Sequence, residues 1–381
     1  MKLVLLVFNP YVKDARVRRA VTALSERYRV TVFALANENQ APFELDGAHI
    51  VPVFLRTKQL SNNPVVQIFK FFEFLLVTRK LVKQAAPDIM YCNDVYTLPI
   101  AWLLPKIPFV YDSHELWRET SQQKGMRRYL FEGLHLLEKK QVRKARAVIT
   151  VNKEIALDIA SECGVPCPYI VRNIQAWDGT QVDRTALKKE MRLSSSDIVF
   201  LYTGMLGYDR DLATVVRSCA SWPEKVHLGL MGEGACRNEL ELLAKSLHIE
   251  DRVHFLGLRP HDEVLQWTSG ADAGIVSLAA TSDNEVFALP NKLFQNAQMR
   301  VPLIAVDLPV IRRYVKEYGL GLLYKRRDPG SLTDAVVRFL QEPVVISDDN
   351  YNRFLRDCNW EHEKDVLLEV VRKAEPKANG C

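Results

Sequence analysis

The stretch ALPNKLFQNAQMRVPLIAVDLP, residues 288–309, carries the pattern on which the fold prediction rests. Its first part, near 290–298, predicts a helix that starts at a proline, and PLIAVD, residues 302–307, predicts a strand. Short β-rich runs and longer helical stretches alternate in the same way on both sides of it. This alternation is typical of parallel α/β architecture, in which helices cover the faces of a parallel sheet.

The predicted strands form two groups, separated by a polar stretch without periodicity at 174–196. The first group is KLVLLVF (2–8), RVTVFAL (29–35), PDIMYC (87–92), PFVYDS (108–113) and AVITVN (147–152); the second is DIVFLYTG (197–204), KVHLGLMG (225–232), RVHFLG (252–257), AGIVSL (273–278) and PLIAVD (302–307). We therefore expect two doubly wound parallel-sheet α/β domains, 1–174 and 175–347, followed by a helical segment over 348–381. Two such domains facing each other form a cleft at the carboxyl ends of their strands, where ligands bind.

Composition excludes several classes of protein. The chain has 381 residues, 48% hydrophobic and 25% charged, as in ordinary globular proteins. A formal net charge of +5 is too small for a dedicated nucleic-acid-binding protein. The seven cysteines are scattered without zinc or redox spacing, which fits a reducing compartment and predicts no metal site. No apolar run is long enough to span a bilayer, and Pro10 with a charged cluster follows the N-terminal run, so we expect a cytoplasmic protein without a signal peptide.

Two loops of the second group carry candidate anion-binding residues. Pro290, Asn291 and Lys292 open a helix whose first N–H groups lack partners, which favours phosphate; an ordinary helix start with an exposed lysine is the alternative. In FLYTGMLGYDRDLATVV, residues 200–216, a strand ends at Gly204 and Arg210 follows. Arginine is a strong diphosphate partner, although a tight turn with a solvent-facing arginine fits the same pattern.

The stretch LGLMGEGACRNELELLAK, residues 228–245, begins like a dinucleotide-binding fingerprint. Gly232 and Gly234 occupy the first two glycine positions, but Arg237 stands at the third. The fingerprint therefore fails, which disfavours a nicotinamide or flavin cofactor.

Polar side chains also follow strands of the first group. In VYDSHELWRE, residues 110–119, His114 comes just after a strand, and Asp94 in YCNDVYTLP follows another. A histidine at a strand end could position or deprotonate a hydroxyl group, and a purely structural role is equally open for both residues.

Lysine and arginine cluster over 124–146, interleaved with aromatic and leucine residues. Such a stretch could rest on an anionic membrane surface, and the helix near 64–84 adds aromatic residues. A solvated helix face is the alternative.

Taken in order along the chain, these segments resemble the family 4 glycosyltransferases, which have the two-domain Rossmann-like GT-B fold. The segments that carry the resemblance are NPYVKDARVRRAVTAL, PDIMYCNDVYTLP, VYDSHELWRE, VITVNKEIA, YTGMLGYDRDL, MGEG, DRVHFLG and LPNKLFQNAQMRVPLIAVDLP. The resemblance implies transfer of a sugar from a nucleotide-sugar donor to a glycan or lipid-linked acceptor, with retained configuration, in bacterial surface polysaccharide synthesis. It implies no bound metal or cofactor, a donor on the second domain, an acceptor on the first, and a C-terminal helix that crosses back to the first.

The resemblance also implies site residues. The catalytic residues are His114, Arg210 and Lys292; donor-binding residues are Gly204, Met205, Gly232, Gly234, Glu285, Phe287, Asn291, Leu293 and Gln295; acceptor-binding residues are Asn9, Arg16 and Asp94. His114 is expected to position the acceptor by a hydrogen bond, while Arg210, Lys292 and nearby backbone N–H groups offset the charge of the leaving diphosphate.

Two departures from the family pattern keep other functions open. The family often has two glutamates separated by seven residues, and these positions hold Phe287 and Gln295, with Glu285 close to the first. The family's arginine after the glycine is Met205. A catalytically degenerate paralogue that serves as a scaffold subunit, or another enzyme on the same double fold such as a nucleotide-sugar epimerase, therefore stays an alternative. The sequence does not encode the base, sugar, acceptor or oligomeric state.

Overall fold

The computed structural model describes residues 1–60, 63–116 and 126–376 and divides into two compact units. Unit 1 comprises Met1–Asn173 and Glu361–Cys381, and unit 2 comprises Ile174–Trp360. Each unit is a parallel sheet covered by helices, so the prediction of two parallel-sheet α/β domains is confirmed.

The sheet of unit 1 has eight strands in the order β3-β4-β2-β1-β5-β6-β7-β8. All neighbours pair in parallel except β3 and β4. The strands are β1 (Lys2–Val7), β2 (Arg29–Leu35), β3 (Phe43–Leu45), β4 (Ala48–Val53), β5 (Ile89–Asn93), β6 (Phe109–Ser113), β7 (Ala147–Thr150) and β8 (Tyr169–Ile170), and the helices are α1 (Ala15–Ser25), α2 (Pro64–Ala85), α3 (Leu98–Leu103), α4 (Met126–Val142) and α5 (Lys153–Cys163). Strands β5 and β6 are buried along their whole length, as expected of strands covered on both faces.

Unit 2 has a six-stranded sheet of order β11-β10-β9-β12-β13-β14, parallel throughout. Its elements are α6 (Ala186–Glu190), β9 (Ile198–Thr203), α7 (Leu212–Cys219), β10 (Val226–Met231), α8 (Arg237–Ser246), β11 (Val253–Gly257), α9 (Val264–Ser269), β12 (Ala273–Val276), α10 (Asp283–Val286), α11 (Asn291–Gln298), β13 (Leu303–Val306), α12 (Pro309–Glu317), β14 (Gly321–Tyr324), α13 (Pro329–Gln341) and α14 (Asp348–Asp357). The strand order reverses between β9 and β12, and in unit 1 between β1 and β5. Loops that follow these strands are where open α/β sheets bind ligands.

The segment predicted as one helix over 348–381 is two helices that belong to different units. Helix α14 stays in unit 2, where the ring of Phe354 lies 5.5 Å from that of Tyr318. The backbone leaves helical geometry at Cys358 (φ −131°), and α15 (Trp360–Ala374) begins two residues later. In unit 1, α15 contributes Glu363, which accepts a hydrogen bond from the backbone N–H of Arg172 at 2.6 Å. The amphipathic pattern of the sequence does not show this break, because the break depends on the backbone conformation at Cys358.

Some predicted elements differ from the observed ones. The structure adds β3, β4, β8 and β14, and helices α5, α6, α10 and α13, to those expected. Most of these strands are very short, and β4 contains Pro52 in the sequence AHIVPV, so neither length nor pattern marks them as strands. Helix α13 does have a local start signal, since Asp328 caps it by accepting from the N–H of Ser331 at 2.9 Å.

Candidate active site

Two loops of unit 2 pack backbone against backbone, because their glycine residues have no side chain that would separate them. The N–H of Gly204, after β9, donates to Met231 O at 2.9 Å, and that of Leu206 donates to Glu233 O at 3.0 Å. A Cβ on Gly232 would lie 1.9 Å from Gly204 O. Gly204 has φ +129° and Gly232 φ +153°, so both positions favour glycine. Gly234 is in the same situation, since its Cβ would lie 2.5 Å from Leu206 O.

Lys292 lies beside these loops, on the first turn of α11. Its side chain is buried, with 7% exposure, and its Nζ lies 3.5 Å from the centroid of the Tyr202 ring. Nζ is also 3.6 Å from the place of a Cβ on Gly204, so this glycine leaves space for the ammonium group. Among the residues that the structure describes, no carboxylate lies within ion-pairing distance of Nζ. A cation in this position is held by an aromatic face.

Arg210 strengthens the positive character of this site. It ends the short 3₁₀ turn Tyr208–Arg210, and its Nη2 lies 3.2 Å from Oδ2 of Asp209. Burial, followed by the charge of Arg210, lowers the pKa of Lys292 well below its usual value, and Asp209 offsets only part of this. The two cations therefore disfavour each other until an anion is present.

The start of α11 offers backbone donors, but not the one expected. The N–H of Leu293 already donates to Pro290 O at 3.0 Å. Within the described part of the chain, the N–H groups of Asn291 and Lys292 have no backbone acceptor. The unpaired donors of this helix start thus belong to Asn291 and Lys292 rather than to Leu293.

The two positions that depart from the family's glutamate pattern, and Glu285 close to the first of them, are all engaged within unit 2. Gln295 is buried, and its Nε2 donates to Oε1 of Gln175 at 3.2 Å. Glu285 accepts from the backbone N–H of Thr281 at 2.7 Å and so helps to cap α10. Phe287 packs against the core of the unit. Met205, which replaces the family's arginine, has 58% exposure.

Unit 1 holds a second cluster, built around a buried ion pair. Arg16 on α1 donates through Nη2 to Oδ1 of Asp112 at 2.8 Å and through Nη1 to Val171 O at 2.8 Å. Tyr91 donates to Oδ2 of Asp112 at 2.8 Å. Although burial opposes it, Arg16 and then His114 hold the pKa of Asp112 well below its usual range. Arg16 thus has buried partners within unit 1, and its expected acceptor-binding role stays a prediction.

His114 lies between two carboxylates. Its Nδ1 is 3.2 Å from Oδ2 of Asp94, and its Nε2 is 3.3 Å from Oδ2 of Asp112. Its backbone N–H donates to Oδ1 of Asp94 at 3.0 Å. Burial lowers the pKa of His114, but Asp94 and Asp112 outweigh burial and raise it to about 10. At neutral pH the ring is therefore an imidazolium, which donates hydrogen bonds and cannot accept a proton.

The remaining expected residues lie at the same edge of the unit 1 sheet. Asn9 follows β1 and is exposed, and Asp94 follows β5 with φ +58°, a left-handed backbone position. Because β1 and β5 pair in parallel, the two loops leave the sheet side by side. Sequence reasoning did not assign roles to Tyr202, Gln175 or Tyr91, because they act through contacts far apart in sequence. The end of the VYDSHELWRE motif, residues 117–119, lies outside the described residues.

Across residues 1–60, 63–116 and 126–376, no group of three or more His, Cys, Asp or Glu side chains is arranged to hold a metal ion. No helix in the described ranges is long and apolar enough to cross a bilayer.

Comparisons with known proteins cover both units. A family model described as "Glycosyl transferase 4-like domain" matches residues 14–172, and one described as "Glycosyl transferases group 1" matches residues 183–356. Sucrose-phosphate synthase from Thermosynechococcus elongatus has a similar structure, with a TM-score of 0.82 at 16% identity over 98% of this chain and 99% of that one. Anabaena HepE in complex with UDP-glucose gives a TM-score of 0.75 at 15% identity over 98% of this chain and all of the other.

A curated relative, the alpha-D-kanosaminyltransferase of Streptomyces kanamyceticus, is 22% identical over 224 residues, which are 55% of this chain and 54% of the relative. The chain thus spans about half the length of the curated relatives that it matches, with shares from 40% to 66%.

Proposed function

This chain belongs to the GT-B glycosyltransferases of the family 4 type, and we propose that it transfers a sugar from a nucleotide-sugar donor to a glycan or lipid-linked acceptor. The donor is UDP-linked, the anomeric configuration is retained, and the product belongs to a bacterial surface polysaccharide made at the inner face of the cell membrane. The UDP-glucose bound by HepE, a protein of similar structure, supports the choice of donor.

The observation that carries the proposal is the buried ammonium of Lys292, which has no carboxylate within ion-pairing distance among the described residues and feels the charge of Arg210. A nucleoside diphosphate brings the negative charge that this site lacks, and Asn291 and Lys292 offer backbone N–H groups at the start of α11. The charge that develops on the leaving diphosphate is stabilised by these fixed cations and donors. The chain can therefore offset the charge of the leaving group with its own side chains.

Transfer with retention forms one bond, breaks another and moves one proton. The acceptor oxygen forms a bond to the anomeric carbon, the bond from that carbon to the diphosphate oxygen breaks, and the acceptor proton passes to the leaving phosphate. His114 does not take this proton, since Asp94 and Asp112 keep it charged at neutral pH. Its Nε2 makes no hydrogen bond to the described residues, although Asp112 lies 3.3 Å away. We assign this nitrogen the task of donating a hydrogen bond that holds a hydroxyl of the bound sugars.

Thermal unfolding with a panel of nucleoside diphosphates and their sugars tests the donor assignment. A ligand at a hundred times its Kd adds about 2.7 kcal/mol, which is a shift of a few degrees for a chain of this size. We expect a shift with UDP compounds that Lys292→Ala and Arg210→Ala abolish. Lys245→Ala, at an exposed position of α8, is the matched control and keeps the shift. No shift with any member of the panel contradicts a donor site.

A binding subunit without transferase activity is the second candidate, and the contact between Gln295 and Gln175 favours it. In this case the amide at the position of the family's ribose-binding glutamate is satisfied within the protein. The two functions differ in cells, because a scaffold tolerates Lys292→Ala and a transferase does not. Product formed by wild type and absent in Lys292→Ala excludes the scaffold.

A further inference from the structure

Tyr202 contacts both parts of the site proposed above for the donor's diphosphate, the glycine loop 204–206 and Lys292. It is the last but one residue of β9 and shares a face of that strand with Phe200, because side chains alternate along a strand. Both residues belong to the core of the unit, and Tyr202 extends this core to the carboxyl end of the strand, where ligand-binding loops begin. Its side chain is fully buried, so it reaches the site from the inside of the unit.

The face of the Tyr202 ring is the partner of the Lys292 ammonium. Nζ of Lys292 lies 3.5 Å from the ring centroid, well inside the distance at which an aromatic face attracts a cation. Burial raises the pKa of the Tyr202 hydroxyl above its usual value, so the phenol stays neutral at physiological pH and does not become a tyrosinate counter-ion. The ring therefore attracts the ammonium without neutralising it.

The charged groups that act on Lys292 from another element are Arg210 and Asp209, on the turn before α7. Burial and then Arg210 lower the pKa of Lys292, and Asp209 offsets only part of this. Asp209 is itself 3.2 Å from Nη2 of Arg210, so its charge is shared with that guanidinium. A carboxylate directly on Nζ would keep the lysine charged but would also compete with a diphosphate. The face of a neutral ring favours the cation and carries no net charge that repels an anion.

The hydroxyl of Tyr202 makes the second contact with the site. It donates to the backbone carbonyl of Met205 at 2.9 Å, and the N–H of the same peptide unit, that of Leu206, donates to Glu233 O at 3.0 Å. This peptide unit of the glycine loop is therefore held at both ends. The adjacent Gly204 approaches so closely that a Cβ there would lie 3.7 Å from the hydroxyl oxygen. The hydroxyl thus helps to fix the course of the loop.

We propose that Tyr202 is a positioning residue of this site: its ring face holds the Lys292 ammonium, charged and in place, for the donor's diphosphate, and its hydroxyl fixes the glycine loop beside it. The inference rests on the proposed function, since it takes the diphosphate as the ligand of Lys292. The two parts of the side chain have different effects on binding. Loss of the hydroxyl loosens the loop in either protonation state of Lys292, whereas a weaker ring lowers affinity only where Lys292 can lose its proton.

Phenylalanine analogues at position 202 separate the two parts. Tyr202→Phe deletes the hydroxyl and keeps the ring, and mono-, di- and trifluorophenylalanine then withdraw negative charge from the ring face at nearly constant volume. Calorimetry on the full chain measures the Kd of UDP and of inorganic pyrophosphate, the bare diphosphate, from about pH 6 to about pH 10. The titration of each ligand is the same for all variants, so a difference between variants reports on the protein.

Tyr202→Phe raises both Kd values about threefold at every pH, the loss expected of one hydrogen bond. Trifluorophenylalanine matches Tyr202→Phe at acidic pH, where Lys292 is charged in both proteins, and binds about tenfold more weakly at alkaline pH. The pH at which binding is lost therefore falls by about one unit. Tyr324 is a second fully buried tyrosine of the same core, and its hydroxyl lies 3.5 Å from Val276 O. Tyr324→Phe and its fluorinated analogues are the matched controls and leave this pH dependence unchanged.

Two results overturn the role of the ring. One is a trifluorophenylalanine variant whose Kd values equal those of Tyr202→Phe at every pH, because the ring face would then contribute nothing to the charge of Lys292. The other is an equal loss of affinity at acidic and alkaline pH, which would leave Tyr202 a role in the fold alone. Kd values that Tyr202→Phe does not change overturn the role of the hydroxyl.

The two ligands separate this inference from the proposed function. Pyrophosphate binding that shows the predicted ring dependence, without any binding of UDP, rejects the donor assignment and keeps the role of Tyr202. Binding of UDP by wild type without the ring dependence rejects the role of Tyr202 alone. A wild type that binds neither ligand rejects both.

Discussion

Arg16 in unit 1 and Lys292 in unit 2 are cations buried to almost the same degree, with 9% and 7% exposure, but their partners differ. Arg16 has the carboxylate of Asp112 at 2.8 Å and a backbone carbonyl at the same distance. Lys292 has the face of an aromatic ring and a second cation nearby. Burial opposes the charge of both, yet Asp112 raises the pKa of Arg16, whereas the pKa of Lys292 falls.

The difference distinguishes a structural charge from a functional one. A buried cation with a carboxylate partner is satisfied, so its removal damages the fold. A buried cation without such a partner destabilises the unliganded protein and gains most from an anionic ligand. In unit 1 the charge of Arg16 is thus closed by a carboxylate, whereas in unit 2 the charge of Lys292 is left for the diphosphate that we propose as its ligand.

The largest effect that we expect comes from breaking the closed pair. Asp112→Ala leaves Arg16 and His114 without a carboxylate that both contact, and it lowers the free energy of unfolding by about 3–5 kcal/mol. Urea denaturation measures the loss, and faster hydrogen exchange in β6 but not in β12 assigns it to unit 1. Asp307→Ala breaks an exposed pair with Arg312 in unit 2 and costs at most about 1 kcal/mol. Equal losses of unfolding free energy in the two variants would contradict the distinction between the buried pair and an exposed pair.

The converse experiment removes the unpaired cation. Lys292→Met raises the barrier to transfer by about 3–4 kcal/mol, a loss of 10² to 10³ in kcat, because the leaving diphosphate loses its buried charge partner. The same change leaves the free energy of unfolding unaltered or raises it, since a desolvated ammonium is replaced by an apolar chain of similar length. Urea denaturation and initial transfer rates give both numbers. Marked destabilisation would show that Lys292 is structural.

The charged state of His114 predicts that the stability of unit 1 depends on pH. Its pKa is about 10 in the folded chain and near 6.5 when unfolded, so its contribution to stability is complete below pH 6.5 and disappears as the pH rises toward 10. The contribution is on the order of a few kcal/mol, because each pKa unit between the folded and unfolded values is worth about 1.4 kcal/mol. His114→Gln removes it, so the stability difference between wild type and variant shrinks as the pH rises from 6.5 to 10. His227 and His254, whose pKa values are lowered by burial, give the opposite trend below pH 6.5.

The fold was predictable because alternation of strand and helix is local in sequence, and the start of α11 with Lys292 was predictable for the same reason. The partners that give these residues their chemistry were not. Asp112 is 96 residues from Arg16, and Gln175 is 120 residues from Gln295. No spacing rule connects such positions. Arg16 illustrates the result, because the family resemblance implies a role in acceptor binding and only the fold shows its buried partner Asp112.

The smallest effect concerns Gln295, where a carboxylate would restore the family's pattern. Gln295→Glu replaces a neutral hydrogen bond to a ribose hydroxyl by a charge-assisted one, a gain of about 1 kcal/mol or a fivefold lower Kd for UDP. Part of this gain is lost, since Oε1 of Gln175 then faces a carboxylate, and turning its amide gives up the hydrogen bond to His261 O at 3.1 Å.

Gln298→Glu on the same helix is the control for this variant. Its Nε2 donates to the backbone carbonyl of Gln175 at 2.7 Å, which cannot turn to donate to a carboxylate. This control therefore destabilises unit 2 without tighter binding. Titration calorimetry with UDP measures the Kd of both variants. An unchanged or higher Kd in Gln295→Glu means that position 295 does not contact the ribose. The hydrogen bond from Gln295 to Gln175 is then part of the fold, as the Arg16 pair is in unit 1.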